Sequence, residues 1–344
     1  MAKRVRVSND AGVTYYTLPG NTAELRNEAG EIVDTIFGQA FESNEAGIIG
    51  WSITSNALYK GFAGYVATLK QQGATTPTTG EAFSLVSGKT YQIDDTTKQI
   101  WDRNNTITIY DNAAPVAAAN IESYDYLYGK VTFVASYTPT GAITADLNFF
   151  PTADLCGANA FTLTQTAEAI DNTDMCIASS NGGYRTFQYG LKTVSLELSG
   201  IFNAANGYLT KLRNRSTVII EINPDGSQES VCRGFFRSTT HTQSGGVGEL
   251  EQESNTFQLN VPDDDKLATP FSWNHSVTTT LSEAVKILLD AWESDTTIDA
   301  QYLYNGTNGE EGLAIVTEVT LSGGLEVMNE FAVTLQGTGV PSTV

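Results

Sequence analysis

Apolar and polar residues alternate with a period of two along most of this chain. Segments 83–85, 106–110, 130–135 and 142–149 carry that alternation, and turn signals separate them at Ser87-Gly88, Asp111-Asn112 and Pro139-Thr140-Gly141. They read as a run of short hairpin strands. One segment follows the helical period instead: Leu281, Ala284, Val285, Leu288, Leu289 and Trp292 fall on a single continuous face. Thr280 or Ser282 is placed to cap that helix, and Glu283 in its first turn complements the dipole. Such a helix packs on a sheet.

The pattern also repeats. Residues 50–69 (GWSITSNALYKGFAGYVATL) and 193–212 (TVSLELSGIFNAANGYLTKL) match at a constant offset of 143, with Ile53 on Leu196, Tyr59 on Phe202, Gly64-Tyr65 on Gly207-Tyr208 and Leu69 on Leu212. Each copy begins as a strand and passes into a helical stripe, Leu58, Phe62, Tyr65, Leu69 in the first and Phe202, Ala205, Leu209, Leu212 in the second. A second correspondence joins residues 218–227 to 300–309 and residues 248–261 to 324–337, with Phe257 and Phe331 in alternating strands after a polar turn. Two copies of one β-rich module follow. Segments 73–80 (GATTPTTG) and 261–270 (VPDDDKLATP) read as linkers, and residues 337–344 as a mobile tail unless a partner holds them.

Composition narrows the function classes. The 344 residues hold 31 Gly, 15 Tyr and 15 Phe with only 17% charged residues, which suits strands and turns and excludes a helical bundle. The formal net charge is −20, a surface that repels a phosphate backbone, so a conventional nucleic-acid binder is not expected. Met1 to Val7 (MAKRVRV) starts basic but lacks a following apolar stretch, so no secretory signal is expected, and no apolar run is long enough to span a membrane. Cys156, Cys176 and Cys232 lack metal-ligand spacing and are expected as reduced thiols packed in strands.

Candidate chemistry is sparse. His241 is expected in a Ser/Thr/Gly loop and His275 in a strand, neither beside a recognisable nucleophile motif, so they read as solvated or hydrogen-bonded histidines. The acidic runs Asp94-Asp95, Asp263-Asp264-Asp265 and Glu310-Glu311 read as solvated turns, because glycosidase carboxylates need separately tuned environments. Asn223-Pro224-Asp225-Gly226 lacks the alternation of a calcium loop and reads as a β-turn; Gly245-Gly246-Val247-Gly248 lacks phosphate-loop spacing and reads as a hairpin tip. No catalytic, cofactor-binding or metal residue is assigned, and no cofactor is expected. Tyr124, Tyr126 and Tyr128 alternate and would share a strand face, read as a contact with another subunit in preference to a sugar platform.

Beyond these motifs, GLKTVSLELSGIFN, GYLTKLRNRSTVIIEI, CRGFFRST and ELEQESNTFQLNV resemble the tail tube proteins of long-tailed bacteriophages. NEFAVTLQGTG resembles that family's final strand, and VSGKTYQIDDTTKQIWD, NIESYDYLYGKVTF and ITADLNFFP resemble a hairpin section found ahead of the core in some members. The resemblance covers most of the chain; the departure from the family is the duplicated signature. It implies a mainly β fold of tandem tail-tube-type β-sandwich modules, each with a flanking short helix, closing into a ring-shaped barrel on assembly. The implied divisions are residues 1–75 as the first part of one module, completed by 263–344, 76–155 as the hairpin-rich section, 156–262 as the second module, and 263–344 as the C-terminal helix and strands.

The implied function is a structural, non-enzymatic virion subunit of a siphovirus-type flexible tail, made in the bacterial cytoplasm and stacked as rings into a conduit for DNA ejection. Its implied partners are further copies of itself, three or six per ring, and the tail terminator and tail tip proteins. Tape measure protein and viral DNA would pass through the lumen without specific binding, and no membrane is involved. The competing readings are a β-sandwich adhesin or glycan-binding module, which needs an exposed aromatic platform, and an enzyme, which needs a pocket joining His241 or His275 to a carboxylate.

Overall fold

The computed structural model describes residues 3–33, 44–63, 67–224, 230–275, 283–325 and 327–344. The protein is mainly β, and the described residues hold the α-helices α1 (Met175–Ser180), α2 (Tyr208–Asn214) and α3 (Glu283–Ser294). Its contacts define two units: Met1–Tyr65, Ala160–Leu196 and Val277–Val344 form the first, Val66–Asn159 and Glu197–Ser276 the second.

The first unit is organised by the sixteen-residue strand Gly309–Gly324. Its beginning pairs antiparallel with Ile298–Leu303, its end pairs with residues 160–166, and Val327–Gly337 runs along its other side. Val327–Gly337 pairs onward with Asn44–Ala63, which pairs with Gly20–Val33. Alternation sets the buried face: Phe331, Val333 and Leu335 are all buried on one strand. Helix α3 packs on Gly309–Gly324 and on Arg4–Ser8, burying Ala284, Val285, Ile287, Leu288, Leu289, Ala291 and Trp292. The stripe legible in the sequence is present and is wider by Ile287 and Ala291. The caps Thr280 and Ser282 lie outside the described residues, as does Leu281.

Two glycines make room for one tryptophan in this unit. Trp51 is buried, and a Cβ on Gly337 would come within 2.0 Å of its ring, one on Gly312 within 2.7 Å. The indole Nε1 donates to the Gly339 carbonyl at 3.0 Å, and the Gly339 amide donates to the Arg185 carbonyl. Residues Ser342–Thr343 then pair with Glu310 and Glu311. The tail expected to be mobile is therefore held by its own chain, because Trp51 and the strand edge supply the contacts a partner was expected to supply.

The second unit repeats the plan around the fifteen-residue strand Ser230–Ser244. Its beginning pairs with Thr217–Asn223 and with Phe271–His275, and its end with Gln252–Leu259. Helix α2 packs on it. Helix, strand, long strand and strand thus occur twice in the same order, as α2 to Gln252–Leu259 and as α3 to Val327–Gly337. This matches the second correspondence in the sequence, and its two phenylalanines, Phe257 and Phe331, are both buried.

A seven-stranded antiparallel sheet completes the second unit, in the order Ile121–Asp125, Lys130–Phe133, Thr90–Ile93, Thr76–Ser87, Ile143–Phe149, Thr108–Asp111, Ala114–Pro115. Trp101, Leu127, Val131 and Phe133 form its core with Ile219 and Phe235, which come from the unit's other sheet. The hairpin reading of this region is correct, with two boundary corrections. Segment 73–80 is no linker, since Thr76, Pro77 and Thr78 pair with Phe149, Asn148 and Leu147. Segment 261–270 is irregular but docked: the Tyr124 amide donates to the Lys266 carbonyl, Ala268 donates back to Tyr124, and Tyr126 reaches Asp264 at 2.7 Å.

The helix expected over Leu58–Leu69 does not form. Asn44–Ala63 is a continuous strand and Thr68–Gln72 another, while residues 64–66 lie outside the described residues. Pairing on both sides of Asn44–Ala63 satisfies its backbone, and that tertiary gain overrides a helical spacing of apolar residues. The second copy of that repeat does turn helical, at α2.

Gly337→Ala is expected to lower unfolding stability by about 1–3 kcal/mol by overpacking, and to do so less in a Trp51→Leu background. Urea denaturation of the four variants of that cycle measures both.

Candidate assembly surfaces and polar sites

A buried pair of opposite charges, Glu221 and Arg233, lies on adjacent strands of the second unit. Arg233 Nε and its terminal nitrogen meet Glu221 Oε2 at 2.8 and 2.7 Å, while Nη1 donates to the Leu127 carbonyl at 2.8 Å and to Gln99 at 3.1 Å. The guanidinium lies 4.8 Å from the Tyr128 ring centroid, and Lys70 approaches Glu221 at 3.6 Å. These groups border a cleft of about 490 Å³ with Thr97, Pro151 and Asn274. Arg233 directs its donors into neighbouring protein groups, so the arrangement acts as a clasp between the unit's two sheets.

Beneath α2 lies a second polar cluster. Glu253, Asn206 and Tyr208 are buried there, with the Asn203 amide and Asn206 Nδ2 donating to Glu253 at 3.2 and 3.3 Å. Burial pushes the Tyr208 phenol above its ordinary range, with Glu253 adding to the shift. Lys211 donates to Gln71 Oε1 and, at 2.7 Å, to the Asn206 carbonyl, and burial lowers its ammonium to about 8.

The candidate residues from the sequence are dispersed. His241 lies in Ser230–Ser244 opposite Asn255, not in a loop, and His275 pairs with Ser230 at the other end of that strand, its ring stacked on Trp273 at 5.8 Å. The acidic runs are not merely solvated. Asp95 caps the 3₁₀ turn Thr96–Lys98, and hydrogen bonds from Thr97 and then Lys98 hold its carboxyl below the usual range. Glu311 accepts from Gln301 at 2.7 Å and from Tyr15 at 3.2 Å, whose phenol is raised to about 12 by burial first and by Glu311 second. Of the cysteines, Cys232 alone is a buried strand thiol; Cys156 sits exposed in a turn and Cys176 exposed in α1. The hairpin tip at 245–248 is correct, whereas Asp225 and Gly226 lie outside the described residues.

The tyrosine face is a correction with a clear cause. Tyr124, Tyr126 and Tyr128 are buried in the core of the second unit, the last donating to the Val231 and Ser272 carbonyls at 2.7 and 3.0 Å. Strand Ile121–Asp125 ends before Tyr126, so the period-two argument fails at the turn. Neither a subunit contact nor an aromatic sugar platform exists at these residues.

The exposed features are different ones. Gly20–Val33 pairs on one side only among the described residues, and it carries Glu24, Arg26, Glu28 and Glu31 along that free edge strand. The tip joining Ser230–Ser244 to Gln252–Leu259 exposes Val247 completely and Leu250 by 67%, flanked by exposed Glu249 and Glu251. In the first unit, a cleft of about 590 Å³ is lined by Lys3, Arg4, Val5, Leu18, Pro19 and neighbouring polar groups, with no carboxylate among the described lining residues. The sequence signal for this cleft was the basic start of the chain, which the charge total conceals.

Comparison with protein-family profiles and with curated proteins finds no match. Among solved structures, the chain is similar to one from the tail of an empty gene transfer agent particle, computed with helical refinement and C6 symmetry: 17% identity, TM-score 0.29, over 33% of this chain and 84% of that one. It is similar also to a chain from the virion of the native gene transfer agent particle, at 17% identity and TM-score 0.29, over 32% and 85% respectively.

Arg233→Met leaves the buried Glu221 carboxylate with Lys70 at 3.6 Å as its remaining ion-pair partner and is expected to cost about 3 kcal/mol, with Glu221→Gln in the same chain restoring part of it; denaturant titration reads both. Lys211 supplies a pH test. Its folded pKa lies below its unfolded value, so the unfolded chain binds the extra proton between about 8 and 10.5, and stability rises with pH across that window. The difference in thermal midpoint between wild type and Lys211→Met is expected to move in that direction from pH 8 to pH 10 (about the window's edges).

Proposed function

We propose that this protein is a structural, non-enzymatic subunit of a bacteriophage tail tube, assembling into stacked rings that conduct the genome to the host. The observation that carries the proposal is the duplicated run of helix, strand, long strand and strand, α2 through Gln252–Leu259 and α3 through Val327–Gly337. The first of these runs, and the last strand of the second, carry sequences that resemble the tube family. A chain holding two such modules contributes twice to one ring, so three chains supply the six modules that six single-module chains would.

Two further properties support the reading. A ring closed by pairing strands between copies removes free edges, and Gly20–Val33 offers such an edge. The net charge of −20 suits a lumen through which DNA slides, because the duplex carries one negative charge per roughly 1.7 Å and a basic wall would retain it. The tape measure protein and DNA are transient occupants; tail terminator and tip proteins are the end-capping partners; the virion is the site of action.

Negative-stain and cryo-electron microscopy of the purified protein test the proposal. Hollow tubes or rings of three chains are expected, and rings of six would overturn the double contribution of each chain. Monomers at every concentration, with the protein missing from purified tails, would overturn the tail tube reading itself.

A further inference from the structure

We propose that the 245–251 hairpin tip of one copy docks in the Lys3–Arg4 cleft of a second copy. The inference rests on the tail tube reading for the premise that copies associate. Two surfaces on the chain fit each other in both charge and polarity. The tip exposes Val247 and Leu250 beside Glu249 and Glu251; Glu251 accepts from Gln243 at 3.1 Å, and neither carboxylate forms an ion pair among the described residues. The cleft presents Lys3 and Arg4, both exposed and likewise without an ion pair among the described residues, above an apolar floor of Val5, Leu18 and Pro19. Lys3 has a long approach to the Tyr302 ring, 6.0 Å to its centroid, whereas Arg6 is engaged by Gln301, the Tyr15 carbonyl and the Tyr15 ring.

Charge balance makes this pairing consequential. Two chains of net charge −20 repel at long range, so association requires a local reversal of sign. The cleft supplies one with two cations and no carboxylate among its described lining residues. The tip turns tightly, with Gly248 at φ +84 permitting the reversal. Tip and cleft are different surfaces, so the contact is heterologous and each docked copy leaves a free tip and a free cleft. Such a contact propagates from copy to copy.

Charge exchange in the full-length protein tests the proposal by sedimentation velocity and negative stain. Glu249→Lys with Glu251→Lys, or Lys3→Glu with Arg4→Glu, is expected to weaken association at least about tenfold while leaving the thermal midpoint unchanged, since all four positions are exposed. Mixing the two variants restores assembly, each supplying the complement of the other. Raising salt above physiological strength, where the Debye length is already about 8 Å, weakens wild-type association and not that of an Ala-substituted tip. Assembly of either single-sided variant at the wild-type concentration, or no restoration on mixing, overturns the docking and leaves the tail tube reading standing. A wild-type protein that never associates overturns both.

Discussion

A strand of fifteen or sixteen residues exposes more backbone amides and carbonyls than one short neighbour can satisfy, and the whole architecture answers that need. Gly309–Gly324 takes Ile298–Leu303 and residues 160–166 in succession along one side and Val327–Gly337 along the other. Ser230–Ser244 likewise divides its length among Thr217–Asn223, Phe271–His275 and Gln252–Leu259. Each neighbour then brings a helix or a further strand, so the helix-strand-strand-strand order is a consequence of saturating one long element. The same requirement explains why Asn44–Ala63 extends where its apolar spacing asks for a helix.

Charge is handled in two ways. Inside the second unit, Arg233 and Glu221 neutralise each other, Arg233 donates its further protons to Gln99 and the Leu127 carbonyl, and Lys70 stands 3.6 Å from Glu221, conditions under which a buried pair is tolerable. On the surface most carboxylates face water, and several are tied to local roles, as Asp95 is to a 3₁₀ cap and Glu311 to Gln301 and Tyr15. The acidic total is therefore partly a property of turns and caps, distinct from any site.

Much of the fold was legible because its signals are local. The stripe of α3, the hairpins between residues 76 and 149 and the Gly-rich tip each depend on spacing and turn chemistry within a dozen residues. The errors arose where distant segments decide. Tyr126 and Tyr128 turn inward because a turn ends their strand and because Asp264, Val231 and Ser272 await them. The C-terminal residues are ordered by Trp51, whose flat seat against Gly312 and Gly337 no local pattern announces. The Lys3–Arg4 cleft was hidden for another reason: its importance lies in missing carboxylates, and a net charge averages such an absence away.

The discontinuity of the units orders events during synthesis. Residues 66–276 contain every segment of the second unit, which is complete well before translation ends. Asn44–Ala63, by contrast, pairs with Val327–Gly337, a partner that the ribosome has yet to make for most of elongation. At roughly 5–20 residues per second, the early hairpin waits on the order of tens of seconds with an unsatisfied flank. Its exposed amides are a template for other nascent chains during that interval, so the cell's holding chaperones and the spacing of ribosomes on the message become determinants of yield.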